Sequence, residues 1–378
     1  MIRFRTTVLL SIRAGVVLVA CALTGGCAVT PQVRQSLNDY VSASEQVRQT
    51  AGDLVTDYEN FSKAHLARKQ PAAAAAGPSA EYPGVFDPAA VFIKPALTDS
   101  EKAIAETRQA LLVVHDYSAL LVALVEGRSE AEVRQQTESL GGTLRELASI
   151  GGLVIPGVTQ FAGLASKFIK LAQDAANREL LLVAVDEGRE PMRLILQGLK
   201  DQTPGIYGVS LDETRSKQRA LREAIQALAI SLAKLCSLNG PPVEAAVATT
   251  MAEMQVQAGE VAGQTRTAPA FKIPFPFVAG KAPADSAVAA QAEVFVQGMR
   301  VHAQRYGELV AAQNAYYGVL SKYIRTLDAT QASFKALVTS LTAPVDPRAE
   351  IRRLLGAGFE LRDAFAAYRN PTLAPGKP

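Results

Sequence analysis

An elongated all-α bundle is the fold this sequence predicts, and three observations point to it. Apolar residues recur at spacings of three and four over long stretches. Ser/Thr-x-x-Glu start signals punctuate the chain, and no stretch alternates apolar and polar residues with the period of two that a half-buried strand needs. Spacings of three and four bring side chains to one helix face, so each stretch acquires an apolar stripe that has to be covered by another helix. The stripes keep a seven-residue beat. The expected architecture is therefore an antiparallel bundle with long, coiled-coil-like helices.

The first element is read as a leader rather than as part of the fold. Residues Met1 to Arg13 carry Arg3, Arg5 and Arg13, Ala14 to Leu23 form an apolar run, and Thr24-Gly25-Gly26 precede Cys27. A basic start, a short apolar stretch and small residues before a cut are the parts of a secretory signal, and the apolar run is too short to span a bilayer. The small residues followed by Cys resemble the lipobox of bacterial lipoproteins. That resemblance implies cleavage after residue 26 and lipid on the Cys27 thiol; Leu18-Val19-Ala20-Cys21 makes Cys21 the alternative site. It also implies that Ala28, rather than Asp, after the acylated residue directs a Gram-negative lipoprotein to the outer membrane, facing the periplasm.

Cleavage changes the charge balance. Removing residues 1–26 takes three arginines and no acid, so Lys+Arg falls from 39 to 36 and equals the 36 Asp+Glu of the remaining 352 residues. A neutral chain without Lys/Arg-rich runs lacks the electrostatic footprint of a nucleic-acid binder. With Cys27 acylated, Cys236 is the single remaining thiol and cannot form an intramolecular disulfide. The fold is expected to hold by packing alone.

The first helix is read over 32–67, within an N-terminal segment 27–70. Val33, Tyr40, Val47, Leu54 and Phe61 form one row, and Leu37, Ser44, Ala51, Tyr58 and His65 form the second. Residues 71–97, rich in Pro and Ala, interrupt the rhythm and read as a linker. A bundle segment 98–265 follows. Its start signals are Thr98-Asp-Ser-Glu101, Ser129-Glu-Ala-Glu132 and Ser210-Leu-Asp-Glu213, which predict helices over about 99–126, 129–149, 157–200 with a break at Pro191, 211–237 and 242–265. Asn239-Gly240-Pro241-Pro242 marks a turn between the last two. A Pro/aromatic linker occupies 266–283.

The longest helix is expected over 285–342 in a segment 284–370, because Gly298, Gly307 and Gly318 are isolated and nothing else there breaks a helix. One row runs Ala292, Met299, Tyr306, Gln313, Leu320, Leu327, Phe334, Leu341. A second runs Phe295, His302, Leu309, Tyr316, Tyr323, Thr330, Leu337, and Val296, Val310, Tyr317, Ile324 and Val338 widen the face to three residues in seven. That width suits a bundle core better than a two-stranded seam. Lys322 falls on the outward side. Asp346-Pro347 starts a final helix through about 368, and 371–378 form a tail.

No motif names a reaction. His-Glu-x-x-His, paired Cys-x-x-Cys, Gly-x-Ser-x-Gly and the phosphate-binding glycine motifs do not occur in the sequence. His65 and His302 sit on seams that antiparallel packing would bring together, and with Asp116 beside His115 they would be the least a metal site needs. Ordinary seam histidines are the simpler reading, so no metal or cofactor is expected. Asp186-Glu187 and Asp212-Glu213 read as solvated faces or first-turn dipole partners, and Cys236 reads as a small core residue. Residues 147–166 are uncharged and of nominal spanning length, although four glycines and Pro156 make a poor straight span. They read as a turn at Gly151-Gly152 and a buried helix. The functional expectation is a lipid-anchored, non-enzymatic envelope bundle whose partners are the membrane, through its lipid, and another envelope protein. The alternative is a toxin-like, membrane-active protein using 147–166.

Overall fold

The computed structural model describes residues 31–66, 100–150, 160–161, 163–164, 167, 177–235, 286–343 and 345–370. Among these residues there are six helices of substantial length and no strand: α1 Pro31–Leu66, α2 Ser100–Glu126, α3 Glu130–Ser149, α4 Asn177–Leu235, α5 Ser286–Thr342 and α6 Arg348–Arg369. The protein is an all-α antiparallel bundle. Predicted helix 242–265 and both linkers lie outside the described residues.

Local chemistry fixes several boundaries. Ser129 Oγ accepts the Glu132 N–H and the Glu132 carboxylate accepts the Ser129 N–H at 3.0 Å, a complete capping box at the start of α3. Gly127, at φ +66°, ends α2 in the left-handed conformation that lets Arg128 N–H reach Ala123 O at 3.0 Å. The sequence placed a helix start at Ser210 and a break at Pro191, whereas α4 runs unbroken through Pro191 and Pro204. Each proline removes one backbone hydrogen bond and crowds the preceding turn, a local cost of about 3 kcal/mol. Packing outweighs it here: Pro191, Met192, Ile195, Leu196 and Leu199 are all buried, and Ser210 is itself buried in mid-helix.

Cross-helix contacts give the directions. Arg108 of α2 reaches Glu59 of α1, and Thr143 of α3 reaches Asp116 of α2, so consecutive helices reverse. Thr107 pairs with Gln202 at 2.5 Å and Tyr117 with Ala184 at 2.6 Å, so α4 opposes α2. Tyr40 lies against Phe334 and Phe61 against Tyr316, so α5 opposes α1. Lys322–Glu360 and Ser333–Glu350 set α6 antiparallel to α5. One end of the bundle therefore gathers the starts of α1, α3, α4 and α6 with the ends of α2 and α5.

The core lies among α1, α2, α4 and α5, with α3 covering α2 and α6 covering α1 and α5. Tyr40, Leu54, Tyr117, Leu120, Leu144, Tyr207, Tyr316 and Leu320 are wholly or almost wholly buried. On α5 both predicted rows are buried from Tyr316 to Leu337. Lys322 departs from its expected free outward position by pairing with Glu360 of α6 at 2.8 Å.

Candidate functional surface: the anchor end and the two-helix arm

Among the described residues, α1, α2 and α6 stop well before α4 and α5 do. On the register set by Phe61–Tyr316, Leu66 falls opposite residue 311 of α5, so the portion of α5 before it has lost α1 as a neighbour. α4 and α5 continue as a pair. Lys200–Asp328 at 2.7 Å, the Tyr207–Tyr317 edge contact and Arg222–Tyr306 at 2.7 Å mark successive steps along it. Among the described residues, 211–235 and 286–310 thus form an arm of two helices about 37 Å long, since each residue adds about 1.5 Å. It has its own small core, Ile225, Ala229 and Leu232 against Ala292, Val296, Met299, Ala303 and Tyr306. Arg222 also lies over the Tyr306 ring, 5.3 Å from its centroid, adding a cation–π contact at the base.

The other end is the one at which α1 begins. Pro31, the first residue of α1, stands four residues after Cys27 and belongs to the bundle end opposite the arm. Cys27 and Cys21 themselves lie outside the described residues, as does Cys236.

The histidines separate. On the α1–α5 register the His65 position faces residue 312, ten residues or about 15 Å from His302, which sits on the arm beyond the end of α1. The helix register thus sets positions 65 and 302 apart along the seam. His115 instead joins a polar group that the sequence did not single out. Its Nδ1 lies 3.1 Å from Glu45, whose carboxylate also receives Arg48 at 2.6 and 2.5 Å and Gln49 at 2.8 Å. The Arg48 guanidinium holds the Glu45 carboxyl below its ordinary pKa despite partial burial. Asp116, next to His115, accepts Thr143 at 2.7 Å and Ser139 at 3.3 Å from α3. Glu45 is thus satisfied within α1 and Asp116 by α3, while His115 Nδ1 approaches Glu45 without a hydrogen bond. No group of three potential metal ligands occurs among the described residues.

The acidic pairs are placed differently from one another. Asp186 is exposed and Glu187 pairs with Lys167. Asp212-Glu213 is interior to α4 instead of in a first turn, and Glu213 is buried and paired with Lys217 at 3.1 Å. Within 147–166, Leu147 and Phe161 are fully buried and Leu164 packs against the core. Phe161 meets Tyr117 edge-on at 5.0 Å. The helix 102–126 is long and apolar enough to cross a membrane, and most of it is buried against its neighbours as the central core helix. A cavity near the end where α1 begins is lined by Leu37, Leu121, Val185, Phe334 and Leu341.

No protein-family model, no curated protein and no solved structure matches this chain.

Proposed function

We propose that this protein is a lipid-anchored, non-enzymatic component of the cell envelope, held at the outer membrane through Cys27, whose bundle carries a two-helix arm away from the bilayer toward another envelope component. The observation that carries this reading is the opposition of the two ends. The chain emerges from Cys27 into α1 at one end, and the arm leaves from the other. Along α4, 59 residues correspond to about 88 Å, so the arm's tip would stand on the order of 85 Å from the anchor end. A rod of that shape displaces a binding surface from the membrane, whereas small-molecule catalysis favours a concave pocket with convergent polar groups.

Metabolic labelling with a fatty acid tests the anchor. Label is expected on the full-length protein and not on Cys27→Ser. Label that persists in Cys27→Ser and vanishes in Cys21→Ser would move the anchor to Cys21; label indifferent to both would overturn the lipoprotein reading.

A further inference from the structure

We propose that the arm is hinged on the bundle and pivots as a unit about residues 204–213 of α4 and 313–318 of α5. The apolar core divides at that level. The buried apolar residues of the bundle end at Val209 on α4 and Tyr316 on α5, and those of the arm resume at Ile225 and Tyr306. Between Val209 and Ile225 the buried residues of α4 are Ser210 and Glu213, and between Gly307 and Tyr316 the buried residue of α5 is Gln313. The contacts of Tyr207 with Tyr317 and of Arg222 with Tyr306 set Glu213 and Gln313 at one level of the pair. Both polar atoms of the Gln313 side chain are buried without a hydrogen-bond partner, so that amide fixes no orientation of α5 against its neighbours. Bending the pair elsewhere would part apolar side chains buried against each other. Bending it here parts a polar layer.

The backbone is weakest at the same level. Pro204 has no N–H to give the Lys200 carbonyl, and Gly205 and Gly208 follow it. Thr203 and Thr214 donate their hydroxyls to Leu199 O at 3.2 Å and Ser210 O at 2.9 Å, contacts that favour a bend. On α5, Gly318 stands next to Tyr317, with nothing within 4 Å of a Cβ added there. Pro191 is different, because it is buried where α2 crosses α4 at Gly188. Flanking support also stops here. Among the described residues, α1 ends at Leu66 opposite residue 311, and α6 ends one residue past Tyr368, which packs on Tyr316 at 5.2 Å. On the Thr107–Gln202 register, Ser100, the first residue of α2, lies opposite residue 209. A kink of about 20°, acting over the 24 residues or about 36 Å from Gly318 to Val294, would move Val294 by about 12 Å. The hinge belongs to the chain with or without lipid; only its use, aiming the arm of an anchored bundle at a partner, rests on the proposed function.

The test measures distances between pairs of spin labels on the full chain in detergent, with Cys21→Ser, Cys27→Ser and Cys236→Ser, so that the result does not depend on the anchor. Labels at Val294→Cys and Phe359→Cys report the arm against the bundle, and labels at Glu138→Cys and Phe359→Cys report the bundle alone; all three positions are exposed. The arm–bundle distribution is expected to be wider than the bundle distribution by about 12 Å, the swing of a kink of about 20°. Gly318→Ala, and separately Pro204→Ala, should narrow the arm–bundle distribution and leave the bundle pair unchanged, because each stiffens one helix at the hinge. An arm–bundle distribution as narrow as that of the bundle pair would overturn the proposal. So would a broad one that neither substitution narrows, which would place the motion away from these residues.

Discussion

Gly188→Ala places one methyl group where the packing of α2 on α4 leaves no room. A Cβ at that position would lie 2.5 Å from Tyr117 Cζ and 2.9 Å from Cε2. Tyr117 cannot swing away freely. It is fully buried, its hydroxyl donates to Ala184 O at 2.6 Å, and its ring is held by Phe161 at 5.0 Å and Phe334 at 5.9 Å. Overpacking of this kind costs about 1–3 kcal/mol, and loss of the hydroxyl bond adds about 1 kcal/mol. Alanine's better helix propensity returns about 1 kcal/mol. The net expectation is a destabilisation of about 1–3 kcal/mol, read from urea midpoints at unchanged slope. Gly205→Ala is the control, because nothing lies within 4 Å of a Cβ there and the same propensity gain should appear as stabilisation. A Gly188→Ala protein as stable as Gly205→Ala would refute the close approach of Tyr117 to α4.

Two further expectations concern packing and charge. Leu320→Ala and Leu327→Ala remove side chains that are at most 1% exposed and should each cost roughly 2–5 kcal/mol. Lys322→Ala loses only a partly exposed ion pair, worth under about 1 kcal/mol; denaturant midpoints showing equal losses at all three would mean the α5 register is wrong. Glu45 gives a pH signature. A carboxyl whose pKa is lowered in the fold stabilises it above the unfolded value, near 4.3, and loses that contribution as pH falls through the lower folded value. Arg48→Met should therefore flatten the stability change between about pH 5 and pH 3; an unaltered pH profile of urea midpoints would contradict the assignment.

Long-range seven-residue patterns and local caps made much of the fold readable. The rows of α1 and α5, the Ser129 capping box and the start of α6 after Pro347 appear where the sequence placed them. Short signals misled where tertiary packing overrode them: Pro191 and the Ser210-Leu-Asp-Glu213 start signal both lie inside one helix. Isolated propensity favours a break at each, but α2 and α5 bury that helix on two sides. The Tyr117–Ala184–Gly188 contact joins residues some 70 positions apart and leaves no periodic trace. The Glu45–Arg48–His115 group was equally invisible, since it requires the α1–α2 register. Reading His65 and His302 as neighbours assumed that α1 matched α5 in length. That inequality creates the arm, and it shows only once α4 and α5 are seen to pair.

The central claim, an arm held away from the membrane by an anchored bundle, is tested most directly by energy transfer from a labelled side chain to acceptors in the bilayer. In mature lipidated protein carrying Cys236→Ser, one label goes on Val345→Cys at the anchor end and another on Val294→Cys on the arm; both positions are exposed. From Val294 to the end of α5 at Thr342 is 48 residues, or about 70 Å. Strong transfer from Val345 and little or none from Val294 is the predicted result. Equal transfer from both would mean that the rod lies along the bilayer, and stronger transfer from Val294 that the arm faces the membrane; either would contradict the account.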